Sequence, residues 1–173
     1  MKVINLFGGP GTGKSTTAAD LFALMKWNNM NAELVNEYAK EVTWEERFRI
    51  LEDQFYVTAK QSRKLTRIKD QVEWAVTDSP LILALAYAKE DYLPNYFRKL
   101  VMELYDTYDN INIFLEREKP YHKVGRSQTE EQARAIDMWV RAFLDEHSYP
   151  YHVVKADENA RYTILDIAKR HFE

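Results

Sequence analysis

The chain contains no cysteine, so it can build neither a disulfide framework nor a thiolate zinc site, and it suits a reducing interior. Its four histidines, His122, His147, His152 and His171, fall at no metal-ligand spacing. The longest apolar run, residues 81–88, is far too short to cross a bilayer. The first residues carry no signal-peptide pattern, because their apolar stretch runs straight into glycines. A soluble cytoplasmic protein with no membrane partner is therefore expected. Neither sign of charge dominates: 24 basic against 27 acidic residues leave a net −3, and no global basic field draws the chain to nucleic acid. No repeat, low-complexity tract or Gly/Ser linker divides the 173 residues, enough for a core of their own, so one domain over 1–173 is expected. Glycine is scarce as well, at five in the whole chain, yet four of the five lie within residues 8–13.

That concentration organises the rest. An apolar run from Val3 leads into Gly8-Gly9-Pro10-Gly11-Thr12-Gly13-Lys14-Ser15-Thr16, and a helical pattern follows directly. The spacing Gly-x4-Gly-Lys-Ser between a strand and a helix is that of a phosphate-binding P-loop. Glycines let backbone N–H groups turn inward around an anion, and the helix N-terminus adds partial positive charge. Gly9, Gly11, Thr12, Gly13, Lys14, Ser15 and Thr16 are the expected nucleotide-binding residues. Lys14 would reach the β- and γ-phosphates, and the Ser15 hydroxyl would ligate Mg²⁺.

Periodicity places the other elements. Residues 17–27 carry Ala18, Leu21, Phe22 and Met25 at helical spacing. Strands are expected at 32–35, 74–77, 111–115 and 151–154. Residues 45–73 read as a long helix or two, with Phe48, Leu51, Phe55, Ala59, Leu65 and Ile68 on the apolar side. Ser79 is expected to cap a helix over 81–88 whose first turn holds Pro80. A helix from Pro94 to about 108 would bury Phe97, Leu100, Val101 and Leu104. One over 130–147 would bury Ala133, Ile136, Val140 and Leu144, and 162–171 closes the chain as a helix. Strands alternating with helices imply a parallel sheet covered on both faces.

Two carboxylates follow strands: Glu37 after 32–35 and Asp78 after 74–77. In an open parallel sheet that is where ligands sit. Asp78 suits the Mg²⁺ shell of a P-loop enzyme better than a plain helix cap; Glu37 suits a base aimed at an acceptor hydroxyl, or a surface helix start. Residues 117–126 are basic and broken by Pro120 and Gly125. They suit a lid over about 116–130, hinged at Gly125, in which Arg117 and Arg126 meet the transferring phosphoryl group. Lys60, Arg63, Lys64 and Arg67 form a basic stripe, read either as a solvated face or as contact for a polyanion.

The P-loop, Asn36-Glu37-Tyr38-Ala39-Lys40, Thr77-Asp78-Ser79-Pro80 and Arg117…Gly125-Arg126-Ser127 together resemble a group of small viral and bacterial P-loop ATPases or kinases similar to the ribosylnicotinamide kinase domain. The resemblance implies a three-layer α/β P-loop kinase fold with five parallel strands in the order 2-3-1-4-5. It also implies an ATP site with Asp157 near the adenine, and Glu37 at the acceptor. Two positions depart from it: Asp78 is followed by Ser-Pro where many relatives have Asp-Arg, and Lys40 stands for a commoner Arg. A phosphotransferase using ATP and Mg²⁺ on a nucleoside or nucleotide is thus expected, as a monomer or homodimer, with Lys14, Glu37, Asp78, Arg117 and Arg126 catalytic. Two alternatives stay open: a kinase of polynucleotide ends or modified bases in DNA, and an ATPase switch without a small-molecule acceptor.

Overall fold

Strand β1 (Lys2–Phe7) alternates its side chains between two apolar layers, Ile4 and Leu6 to one side and Val3 and Phe7 to the other. A strand buried on both faces belongs in the middle of a parallel sheet, and β1 takes that place. The structure is a computed structural model describing residues 1–89, 92, 94–118, 120–122 and 128–172. Around β1 lie β2 (Ala32–Val35), β3 (Trp74–Thr77), β4 (Asp109–Glu116) and β5 (His152–Lys155), all parallel, in the order β2-β3-β1-β4-β5. The order implied by the resemblance is therefore the order observed.

Helices α1 (Lys14–Trp27) and α7 (Ala160–His171) cover one face, where Ala18, Leu21 and Met25 meet Ile164, Leu165 and Ala168 over Ile4, Leu6 and Ile113. The other face is covered by a 3-10 turn at Leu81–Leu83 with α5 (Pro94–Asp106) and α6 (Glu130–Glu146), whose Tyr105, Val140, Phe143 and Leu144 pack on Val3, Phe7 and Phe114. Thr129 starts α6 with a complete capping box: its hydroxyl accepts from Gln132 N–H while the Gln132 side chain accepts from Thr129 N–H.

The region after β2 differs from expectation. Helix α2 (Tyr38–Trp44) begins directly after Glu37, and the stretch expected as long helix gives a 3-10 turn at Phe48–Glu52 and then α3 (Gln54–Thr66). Asp53 fixes the start of α3 by accepting from Tyr56 N–H at 3.1 Å. The face this turns inward is Gln54, Thr58, Gln61 and Leu65, while Phe48 and Phe55, expected inside, are about half exposed. The basic stripe on the same helix is partly occupied, with Lys64 paired to Glu41 and Lys60 set 5.2 Å from the centre of the Tyr56 ring. Downstream, residues 81–88 form the 3-10 turn and a single α-turn, α4 (Ala84–Tyr87). Pro80 occupies the cap position without a side-chain bond, so Ser79 does not cap; its N–H instead donates to the Thr77 hydroxyl.

Candidate active site

All five strands end on one edge, and the loops leaving them carry the residues singled out above. After β1, Gly8, Gly11 and Gly13 take φ of 138°, 80° and 103°, backbone that side chains with a Cβ adopt only under strain. Gly13 delivers the chain into α1, whose N-terminus has neither a side-chain cap nor an acidic residue in its first turn. Its amides are thus left for an anion. Thr12 is buried and spends its hydroxyl on Gly9 O, stiffening the loop from inside. The Lys14 ammonium folds back onto the carbonyls of Gly8 and Gly9, at 2.7 and 3.1 Å.

The register Val35↔Thr77 brings the next two loops side by side, and Asp78 accepts from Glu37 N–H at 3.0 Å. Asp78 thereby ties β2 to β3 rather than capping the following turn. Burial pushes the Glu37 carboxyl above the usual carboxylate range, against the opposing pull of Lys14; Asp78 raises it further. Lys14 is pushed below the usual lysine range by burial, with Glu37, Asp78 and Asp137 working to restore its charge. Lys14 and Glu37 thus oppose one another's burial cost beside Asp78 at the strand ends.

Arg117 leaves β4 and is held on both sides of its guanidinium. Its guanidinium donates to Asp137 at 2.9 and 3.2 Å and to Pro10 O at 2.9 Å. Asp137, on α6, uses its other oxygen to accept from Gly9 N–H. A Cβ on Gly9 would stand 2.2 Å from Ala133 O, so the loop approaches α6 closely enough that only glycine fits. Asp137 had no place in the sequence reading. Its only signal is position, four residues after Ala133 and three before Val140 on the face that turns inward. The Tyr121 ring lies against Gly11, where a Cβ would come within 2.9 Å, and its hydroxyl donates to Gln128 O at 2.7 Å. Arg126 and the expected hinge Gly125 lie outside the described residues.

Two cavities flank the P-loop. One of about 500 Å³ is lined by Lys14, Ser15, Glu37, Lys40 and Gln128 together with α2, α3 and the 81–87 segment. The other, about 380 Å³, is lined by Gly13, Thr16, Thr17, Asp20 and the Ala156–Asn159 turn, so Thr16 and Asp157 border a hollow beside the start of α1. Positive-φ glycines, an uncapped helix start and a lysine at its first position fit a nucleotide's phosphates. Among the described residues no group of three or more His, Cys, Asp or Glu could hold a metal ion. That is compatible with Mg²⁺, which keeps waters and phosphate oxygens as ligands and needs one or two protein groups; Ser15 and Asp78 are of the right chemistry. Among the described residues no helix is long and apolar enough to cross a membrane.

Comparison with solved structures matches this fold. Deoxyadenosine kinase from M. mycoides with bound dATP superposes with a TM-score of 0.55 at 20% identity, covering 100% of both chains. The same enzyme with dCMP and dCDP gives 0.56 at 19%, covering 99% of each chain. Thymidylate kinase from Ehrlichia chaffeensis gives 0.59 at 13%, covering 99% of this chain and 98% of that one. A search of curated proteins finds no match. The family model described as an AAA domain matches residues 3–161, most of the chain and every element from β1 to the start of α7. The chain belongs to the AAA domain family.

Proposed function

We propose that this protein is a small-molecule kinase that transfers the γ-phosphoryl of ATP, bound with Mg²⁺, to the hydroxyl of a nucleoside-like or nucleotide acceptor. The observation that carries the reading is the meeting of Lys14 and Glu37 in the wall of one cavity. A phosphate-binding lysine and a carboxylate of raised proton affinity border the same space. Such a carboxylate can orient an attacking water or an acceptor hydroxyl, and the space of about 500 Å³ that it borders favours an acceptor larger than water. The fold shared with deoxyadenosine and thymidylate kinases adds support.

ATP with Mg²⁺ supplies the phosphoryl group and neutralises part of its charge. The chain's own residues would do the rest. The α1 amides and Lys14 would hold the phosphates, while Ser15 and Asp78 would hold the metal shell. Asp157 and Thr16 would border the adenosine side. Glu37 would orient the acceptor hydroxyl and take its proton as the new O–P bond forms and the bond to ADP breaks. Arg126 is proposed as the lid cation. Arg117 would stiffen the loop through Asp137 and Pro10 O while remaining near the phosphates.

A panel of nucleosides, nucleotides and oligonucleotides assayed with labelled ATP tests this. A free nucleoside or nucleotide should stimulate ADP release in wild type, and Lys14→Ala should lower transfer on the order of a hundredfold or more. A complete panel without stimulation sinks the kinase reading. Stimulation by oligonucleotide alone, falling steeply with salt, would move the acceptor to nucleic acid.

A further inference from the structure

Of the ten large apolar side chains exposed among the described residues, four lie within residues 44–56. They are Trp44, Phe48, Phe55 and Tyr56, at 63%, 50%, 52% and 40% exposure. Single apolar residues scattered over a surface are ordinary, whereas gathered aromatics mark a contact surface. The elements that carry them are fastened to one another. Tyr38 N–H, at the start of α2, donates to the Gln61 side chain of α3 at 2.9 Å, and the Tyr38 ring meets Tyr56 edge-on with centres 6.1 Å apart. A surface held in place this way loses little freedom when a partner docks.

Its charge is divided between two ends. Residues 45–53 hold four carboxylates, Glu45, Glu46, Glu52 and Asp53, against Arg47 and Arg49. Residues 54–67 hold Lys60, Arg63, Lys64 and Arg67 and no carboxylate. Only part of this charge is matched within the chain. Arg47 pairs with Glu45 and Lys64 with Glu41, but among the described residues Glu46, Glu52, Arg63 and Arg67 form no ion pair. A nucleic-acid strand suits the basic end and is repelled by the four carboxylates at the other. A surface acidic at one end and basic at the other is complementary to itself after half a turn.

We infer that this surface pairs with the same surface of a second copy of the chain, in a two-fold dimer whose α3 helices cross antiparallel near Ala59. Crossing in that sense lays residues 45–53 of one copy over Arg63 and Arg67 of the other, and the two-fold repeats the match. From Asp53 to Arg67 the chain rises about 21 Å at 1.5 Å per residue, and Ala59 lies close to the middle. Ala59 is exposed and small, so two backbones can approach there. Phe55 and Tyr56 stand one turn before it, bracketing the axis with four rings from the two copies. Lys60, beside the axis, is turned onto its own Tyr56 ring, 5.2 Å from the centre. Exposed ion pairs are individually weak, so the rings supply most of the affinity and the charges fix the register. The dimer stands independently of the kinase reading.

The test is sedimentation velocity of the whole chain from about 1 to 100 µM, since interfaces of standard size bind at micromolar strength or tighter. Wild type should sediment as two chains at the upper end of that range. Ala59→Arg sets a long cation at the axis from an exposed position and should weaken the dimer at least about tenfold. Arg63→Glu with Arg67→Glu should do the same, as should Glu46→Lys with Glu52→Lys, because each sets like charges facing across the axis. An equimolar mixture of these two double variants should dimerise again, each presenting the charge the other lacks. Neither variant can give that recovery if its own fold is damaged. Melting temperatures show which variants fold, and if a charge variant does not, Ala59→Arg decides. The inference is overturned by a single chain at every concentration, or by a dimer indifferent to all three sets of substitutions, which places the interface elsewhere. It is also overturned by folded double variants that stay apart when mixed, or by a single chain that binds a labelled oligonucleotide through Arg63 and Arg67.

Discussion

Helices α3 and α6 both reach the strand-end side of the sheet, at Gln61 and at Asp137, and they use their inward faces in opposite ways. The face of α6 is apolar at Ala133, Val140, Phe143 and Leu144, and its one inward carboxylate, Asp137, is matched on both oxygens by Arg117 and Gly9 N–H. The face of α3 is polar and incompletely matched. Leaving a buried polar group unmet costs roughly 1–3 kcal/mol, whereas burying a leucine contributes about 1.5–3 kcal/mol. Helix α6 is thus built to hold the fold, and α3 gives up stability beside the cavity that its polar residues line. A folded domain can carry such a face only because the rest of its core is conventional.

Four experiments can break or sharpen that contrast. Leu144→Ala removes a fully buried side chain from the α6 face and should cost about 2–5 kcal/mol in urea unfolding; a change under about 1 kcal/mol would mean α6 is not the structural helix. Glu37→Gln, beside the start of α2, should cut acceptor phosphorylation roughly a hundredfold. Because burial raises the Glu37 pKa, wild-type transfer should rise with pH through that raised value as the carboxylate forms. The variant should lack this acid limb, and an unaltered pH profile would remove Glu37 as the base. Asp137→Ala strands the Arg117 guanidinium and the Gly9 amide and should destabilise by roughly 1.5–3 kcal/mol, the scale for bonds to charged groups. Asp137→Asn should recover part of that loss, and equal losses in both would place the charge itself, not its hydrogen bonds, at the centre. The smallest effect is on α3: Thr58→Val should leave unfolding unchanged or stabilise by up to about 1 kcal/mol, since no partner is lost. A clear destabilisation would show that the hydroxyl has a structural task, and the contrast would fail.

The sequence made the frame legible because the frame obeys local rules. Short apolar runs marked all five strands, glycine spacing marked the phosphate loop, and Glu37 and Asp78 could be placed beside it because they follow strands in an alternating pattern. What could not be read has two physical causes. Asp137 meets Gly9 across 128 residues, and no local pattern encodes a contact of that range. Across residues 45–73 the period was present but its phase misled: apolar periodicity pointed to Phe48 and Phe55, while the cap at Asp53 and the Gln61–Tyr38 bond set the polar face of α3 inward. A rule that sends apolar residues to the core fails where the core opens into a site.

The central position of β1 also has a bearing on synthesis. The P-loop is made before β3, β4 and α6, yet it hangs from a strand whose neighbours are β3 and β4, and its Gly9 amide is met by a residue of α6. At roughly 5–20 residues per second, on the order of ten seconds separate the emergence of Gly9 from that of Asp137. Throughout that interval the nascent chain carries the complete phosphate-binding motif without the scaffold that shapes it. The shape of the phosphate loop is therefore acquired only once α6 has been made, together with the sheet, although the motif itself lies within residues 8–16.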